Sequence, residues 1–251
     1  MLQSGEPAVY ELLRPTADSP FLLTADHAGR AIPRVLGDLG VSADEMNRHI
    51  AWDIGIAGVT RRLSEALNAT AILQNYSRLV IDCNRTPTLP CAFPAISEET
   101  HIPGNKDLCQ DARSSRQQAI FDPYHAEIKR LLHERQRTIY IAMHSMTPVY
   151  RGQHRPMHTA LLYDNNARLS LHLADLLRSE PGLIVAENDP YKAGDGTDYG
   201  VPVHAEARGL DYLEIEIRQD LIEDEAGQAA WADRFARLLP QALQRLDSAP
   251  G

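Results

Sequence analysis

Four short stretches of this 251-residue chain run from apolar residues into side chains that hold metals, move protons or bind anions. Leu22-Leu-Thr-Ala-Asp-His27 and Tyr140-Ile-Ala-Met-His144 each end in a histidine. Leu79-Val-Ile-Asp-Cys-Asn84-Arg85 ends in an Asn-Arg pair, and Leu213-Glu-Ile-Glu-Ile-Arg218 places Glu214 and Glu216 on one face of a strand, because residues two apart point the same way. Two histidines at separate strand ends can share one Zn²⁺, whose catalytic sites take three protein ligands and keep a position open for water. A third ligand would be a carboxylate or another histidine, and Asp53, in His49-Ile-Ala-Trp-Asp53, is the best candidate. At helical spacing it sits at the edge of the arc formed by Ile50, Ile54 and Ala57, so it faces the protein, where a carboxylate must find a partner. Each residue also has a plainer reading. The histidines suit hydrogen-bonded structural roles, Asp53 suits an ion pair with Arg30 or Arg85, and the glutamates suit a solvated strand edge. Only the coincidence of several reactive strand ends favours chemistry.

The elements that must position these groups follow from hydrophobic patterning. Strands are expected at Phe21-Leu-Leu-Thr24, Ala71-Ile-Leu73, Leu79-Val-Ile81, Thr138-Ile-Tyr-Ile-Ala142, Thr159-Ala-Leu-Leu-Tyr163, Leu183-Ile-Val-Ala186 and Tyr212-Leu-Glu-Ile-Glu-Ile217. Several are apolar throughout, as strands covered on both faces should be. Helices are expected from Ser42, where Ser42-Ala-Asp-Glu45 matches a capping box, to about residue 68, and over residues 110–136 (broken near Pro123), 167–179 and 224–246. Alternating β and α segments predict a three-layer α/β fold, in which ligands bind beyond the carboxyl ends of the strands. The proline-rich stretch 86–107 and the stretch 188–197 read as long functional loops. No linker or repeat divides the chain, so one domain over residues 1–251 is expected.

Composition narrows the partners. Twenty-five Lys and Arg against thirty-four Asp and Glu give a net charge of −9, which argues against nucleic acid. No apolar stretch is long enough to span a membrane, and no basic-then-apolar leader opens the chain. Three cysteines, at 83, 91 and 109, are too few for a disulfide framework. A reduced, cytoplasmic location is the expectation.

The set Asp26-His-Ala-Gly29, Asp53, Ser77-Arg-Leu-Val-Ile-Asp-Cys-Asn-Arg85, Ala142-Met-His-Ser-Met-Thr-Pro148 and Leu213-Glu-Ile-Glu-Ile-Arg218 resembles the N-formylglutamate amidohydrolase family, over roughly residues 20–222. That family is similar in fold to zinc carboxypeptidases and aspartoacylases. The resemblance implies a mixed, mostly parallel sheet flanked by helices, of the zinc-carboxypeptidase and phosphorylase kind, and zinc-dependent hydrolysis of an amide. Asp82-Cys-Asn84-Arg85 looks like the superfamily's Asp-x-Asn-Arg segment, whose Arg binds a substrate carboxylate. Glu216-Ile-Arg218 looks like its Glu-x-Arg strand, whose Glu is general base and acid. One departure matters: the peptidases read His-x-x-Glu with both residues on zinc, whereas here Arg30 follows His27 at that spacing. The carboxylate ligand is therefore Asp53 or Glu214.

The chemistry implied is a single Zn²⁺ on His27, Asp53 and His144, with Glu216 as general base and the amide of an N-acyl amino acid such as N-formylglutamate as substrate. Such a substrate is a small anion, for which Asn84 and the fixed cations Arg30, Arg78, Arg85 and Arg218 are candidates. His204 could bind the oxyanion or the substrate carboxylate, or be a surface-loop histidine. Rival classes are a serine hydrolase, for which no Gly-x-Ser-x-Gly elbow exists, a nucleophilic Cys83, and a non-catalytic binding protein for small carboxylates. The last would keep the arginines and need neither metal nor Glu216.

Overall fold

A computed structural model describes residues 1–194, 196 and 198–248; Asp195 and Thr197 of the second expected loop lie outside the described residues. In chain order the strands and α-helices are β1 (Tyr10–Leu13), β2 (Phe21–Ala25), α1 (Ala43–Met46), α2 (Ile56–Ala66), β3 (Thr70–Gln74), β4 (Ile96–Ser97), β5 (Thr100–His101), α3 (Gln110–Arg116) and α4 (Asp122–His133). There follow β6 (Ile139–Met146), β7 (Val149–Tyr150), β8 (Gln153–His154), β9 (Thr159–Leu162), α5 (Arg168–Arg178), β10 (Val185–Glu187), β11 (Asp211–Arg218) and α6 (Glu225–Ser248). Seven strands form one sheet in the order β1-β3-β2-β6-β11-β9-β10. The run β3-β2-β6-β11 is parallel, and β1 and β9 join it antiparallel. The mixed, mostly parallel sheet carries helices on both faces.

Alternation along the strands divides the core in two. Leu213, Ile215 and Ile217 of β11 join Ile141 and Met143 of β6 under α2, α5 and α6, through Val59, Leu63, Leu173, Leu177, Phe235 and Leu239. Tyr212 and Tyr140 face the other way, toward Tyr124, Ile128 and Leu131 of α4 and a long covering loop. All eight residues of β6 are buried, as the middle of a doubly covered sheet requires.

Three expectations need correction. Leu79-Val-Ile81 is not a strand: Ser77 Oγ accepts from Leu79 N (3.1 Å) and Ser77 O from Val80 N (2.9 Å), so the chain turns. The apolar run instead plugs the second core, and its carbonyls are met by buried Asn105 (2.7 Å to Leu79 O) and Arg116 (3.0 Å to Val80 O). The helix expected over 42–68 starts as foreseen, with Ser42 Oγ capping Glu45 N, but α1 ends at Met46 and the chain re-enters helix only at Ile56. Gly55 makes that restart, with φ +80°, and a Cβ there would stand 2.0 Å from Ile222 O. The 110–136 helix does not break at Pro123; a π-helical turn, Gln117–Phe121, joins α3 to α4 just before it, where the missing N–H is tolerated. Strand β1 was not foreseen. No helix among the described residues is long and apolar enough to cross a membrane.

His204 lies in the second core and not on a surface loop. It sits in another π-helical turn, Val201–Ala205, and is fully buried. His125 Nε2 is 2.9 Å from Cys83 O and must donate to it, so His125 Nδ1 accepts from His204 Nε2 at 2.8 Å. This bonding makes His125 neutral, and burial disfavours the charged form of both rings, driving His125 well below its ordinary value and His204 down to about 3.

Two outcomes follow. Gly55→Ala should lower the urea-unfolding free energy by about 2 kcal/mol or more, since it combines a left-handed backbone with a clash against main chain. Because the unfolded chain takes up protons that buried His125 and His204 refuse, stability is full above about pH 6.5 and is lost as pH falls toward their folded values. Each imidazole contributes up to about 1.4 kcal/mol per pH unit. Urea midpoints measured from pH 7 to 4 should fall less steeply in His204→Gln than in the parent; parallel curves would mean that His204 is already charged in the fold.

Candidate active site

The carboxyl ends of β2, β6 and β11, three adjacent parallel strands, meet at one edge of the sheet. Glu216 stands opposite His144, and Thr24 opposite Ala142, so His27, three residues past Thr24, reaches the level of His144 and beyond. The strand period that sends Leu213, Ile215 and Ile217 into the first core sends Glu214 and Glu216 to the opposite face with His144. Both glutamates are buried, on an inner strand and not at a solvated edge.

Asp53 reaches the same point from the turn before α2. Its inward position comes from main-chain docking rather than helical phase: Asp53 N donates to His27 O at 2.9 Å. One carboxylate oxygen, Oδ2, lies 3.5 Å from His27 Nδ1, 3.0 Å from His144 Nδ1 and 3.2 Å from Ser145 N. One ligand atom from each of His27, Asp53 and His144 lies within 4.8 Å of the other two. Behind His27, Nε2 donates to Asp82 Oδ1 at 2.7 Å, which orients the ring with Nδ1 turned toward Asp53. Asp82 in turn accepts two bonds from Arg78, 3.0 Å from Nε and 2.7 Å from Nη2, and Arg78 Nη1 lies 3.5 Å from Asp53 Oδ1.

Burial and mutual charge shift the acids and histidines of this cluster against one another. Burial pushes Glu214 up to about 8 and also raises Glu216 and Asp26. Burial acts against the charged form of His144 too, yet its bond to Asp53 and the nearby Glu214 hold it up to about 10. The same histidines outweigh burial at Asp53 and keep it ionised. His27 Nδ1, His144 Nε2, Glu214 Oε2, Glu216 Oε2 and Asp26 Oδ2 are buried without a hydrogen-bond partner. Orphaned donor atoms on two imidazoles and a shared carboxylate fit a divalent metal ion, whose N and O ligands are of these kinds.

A cleft of about 140 Å³ opens over the cluster, lined further by Arg78, Asn84, Arg85, Tyr191 and Asp198. Asn84 Oδ1 accepts from Gly200 N (2.9 Å) and Tyr199 N (3.2 Å). Arg85 pairs with Asp198 and donates to Asn84 O at 3.0 Å. Tyr191 OH donates to Glu216 Oε1 at 2.6 Å. Of the residues singled out in the sequence, His27, Asp53, Arg78, Asn84, Arg85, His144, Glu214 and Glu216 line this cleft.

Three do not. Arg30 is exposed, stacked 5.0 Å over Trp52 and bonded to Asn47. Arg218 shares the face of Glu216 but turns away at the strand end, to Asp220 (2.8 Å) and the carbonyls of Arg155, Pro156 and Met157. The charges that lower Glu216 against burial are those of His144 first and then Arg155, not Arg218. His204 is sealed in the core, as described above. Cys83 is buried with its thiol pushed well up by burial, which removes it as a nucleophile. Tyr191, Asp198 and Arg155 were not foreseen; only the marking of the 188–197 loop pointed toward the first of them.

Comparison with known proteins accords with this geometry. No curated protein sequence matches the chain. A gene product of Agrobacterium tumefaciens, Atu2144, is 38% identical with a TM-score of 0.95, over 98% of this chain and 99% of that one. An N-formylglutamate amidohydrolase from Ralstonia eutropha JMP134 is 20% identical with a TM-score of 0.69, over 96% and 99%. A bacteriophage poly-gamma-glutamate hydrolase shares the fold at 12% identity and a TM-score of 0.50, over 96% and 91%. The profile of the N-formylglutamate amidohydrolase family matches residues 19–223, which include every residue lining the cleft, and the chain belongs to that family.

Proposed function

We propose that this protein is a zinc-dependent amidohydrolase that cleaves the amide of an N-acyl amino acid, with N-formylglutamate as the reference substrate. The observation that carries this reading is the convergence of His27, Asp53 and His144 beside a buried glutamate, Glu216, that has one oxygen free. Zinc held by these three residues would act as a Lewis acid on the carbonyl and lower the pKa of a water to about 7.

Glu216 takes the proton of the attacking water through Oε2. Its other oxygen is held by Tyr191, so the carboxylate cannot rotate away. Burial raises its basicity, which suits a group that must accept a proton near neutrality. As the C–N bond breaks, Glu216 returns that proton to the leaving nitrogen; an N-formyl substrate yields formate and the free amino acid. With Asn84 Oδ1 occupied by two main-chain N–H groups, its Nδ2 is left to donate into the cleft. Beside it Arg85, set by Asp198, offers its planar fork to the substrate's α-carboxylate. Arg78 stays on Asp82 and Asp53 and keeps both ionised toward the histidines.

Purified protein should contain close to one zinc per chain by mass spectrometry, and chelation should abolish release of formate from N-formylglutamate until Zn²⁺ is restored. Glu216→Gln keeps shape and removes the base: kcat should fall by about 10²–10⁴ with zinc content unchanged. Equal kcat in parent and variant would end the mechanism. Arg85→Lys cannot reproduce the fork and should lower kcat/KM by about 1.5–3 kcal/mol; unchanged kinetics would place the carboxylate clamp elsewhere.

A further inference from the structure

We propose that Arg155 reads a second carboxylate on the substrate and so makes the site selective for acidic N-acyl amino acids over neutral ones. This rests on the amidohydrolase reading above and adds the residue that decides among its substrates.

The argument begins with which cations near the cleft already have acid partners. Arg78 is held by Asp82 at 2.7 Å and reaches Asp53 at 3.5 Å. Arg85 is paired with Asp198. A monoanionic substrate can share the Asn84–Arg85 corner with that acid, but a dianionic one brings a further charge into a cleft that already holds Asp53, Asp198, Glu214 and Glu216. Arg155 differs from the other two. Its guanidinium makes no ion pair with an acid among the described residues, yet it is only half-exposed. It rests instead on two aromatic faces, 5.2 Å from the ring centre of Tyr150 and 5.7 Å from that of Tyr191.

Tyr191 is the ring whose hydroxyl is bonded to Glu216 at 2.6 Å, so Arg155 lies about one aromatic ring from the proton-transfer group. Its charge is felt at both Tyr191 and Glu216, where it opposes burial. The backbone that carries it is pinned. Arg155 N donates to Pro148 O at 2.9 Å, closing the β7–β8 hairpin. Arg218 Nη1 lies 3.3–3.4 Å from the carbonyls of residues 155–157. Arg218 thus acts on the cleft at one remove, by fixing the segment from which Arg155 extends.

A guanidinium stacked between tyrosines is partly stripped of water and keeps its N–H edge free for a carboxylate, which it meets with paired, charge-assisted bonds. For a substrate whose amide lies at Glu216 and whose α-carboxylate lies at Arg85, a side-chain carboxylate meets Arg155 beside Tyr191, a guanidinium without an acid partner among the described residues.

The test is a substrate pair that differs only in that charge, N-formyl-L-glutamate and its neutral isostere N-formyl-L-glutamine, turned over by zinc-loaded parent, Arg155→Gln and Arg155→Lys. The parent should prefer the acidic substrate. Arg155→Gln should lose about 10- to 100-fold in kcat/KM on the acidic substrate, mostly through KM, and stay within about threefold on the neutral one. Arg155→Lys should fall between the two. Equal losses on both substrates would overturn the inference, because Arg155 would then act on Glu216 or Tyr191 and not on the substrate. So would a parent with no preference, or an Arg155→Gln protein unchanged on both. A parent that hydrolyses neither substrate would overturn the amidohydrolase reading itself, a distinct result.

Discussion

The Asp53 carboxylate is taken out of water with one oxygen between His27 and His144, at 2% exposure. Removing a charge from water costs several kcal/mol even after relaxation, and the interior returns that only through good pairing. The pairing here is spread over three chain segments that have no local reason to meet. Docking Asp53 N on His27 O ties the turn before α2 to the exit of β2. Gly55 lets the helix start where that turn leaves it, packed on Ile222 O so closely that no side chain fits. The position of one acid is thus written into main-chain contacts of residues that carry no chemistry.

Around that acid the polar groups form successive contacts outward. Asp82 holds the far nitrogen of His27, Arg78 holds Asp82, and Tyr124 donates to Asp26 at 2.7 Å. Each partner restricts the tautomer or rotamer of the one inside it, which is how a buried site keeps its geometry without backbone rigidity alone. The loop carrying Asp82, Asn84 and Arg85 cannot rely on sheet hydrogen bonds. It is held by Asn105 and Arg116 from one side and by His125 on Cys83 O from the other. His125 stands in α4 just after one π-helical turn and His204 within another, and the two rings meet at 2.8 Å.

How much of this could be read from the residues depends on how local the cause is. Strand alternation is local, and it placed Glu214 and Glu216 on one face of their strand and His144 at the end of another; the pairing of β6 with β11 brings the three together. Asp53 was singled out by helical phase, yet it is not helical; it faces inward because its N–H is bonded to His27 O, a contact 26 residues away in sequence that no periodicity encodes. Leu79-Val-Ile81 has strand composition, but a serine hydroxyl turns it, and β1 occupies the place beside β3. Arg218 obeys the strand period to the last residue and then, with the strand over, follows the nearest acceptors instead. His204 reads as a loop residue because π-helical turns have no sequence signature of their own.

The net charge of −9 bears directly on the anionic substrate proposed for this cleft. A uniform negative field would repel it, but fields at a cleft are set by the nearest charges, and the mean charge of the surface matters little within a Debye length of about 8–10 Å. What those nearest charges do depends on whether they are already engaged. Arg78 stabilises the acids that face the histidines, and Arg85 is oriented by Asp198, so both are preorganised rather than searching. Preorganised cations lose little entropy on binding but attract little at a distance, since each is screened by its own acid. A cation held by aromatic rings keeps its full charge toward solvent, because a ring quadrupole attracts it without neutralising it. Arg155, on Tyr150 and Tyr191 at the rim, is of that second kind. In the proposed site Arg85 offers one carboxylate an already oriented fork, while Arg155 draws the anion in against the protein's overall charge and then pairs with its second carboxylate.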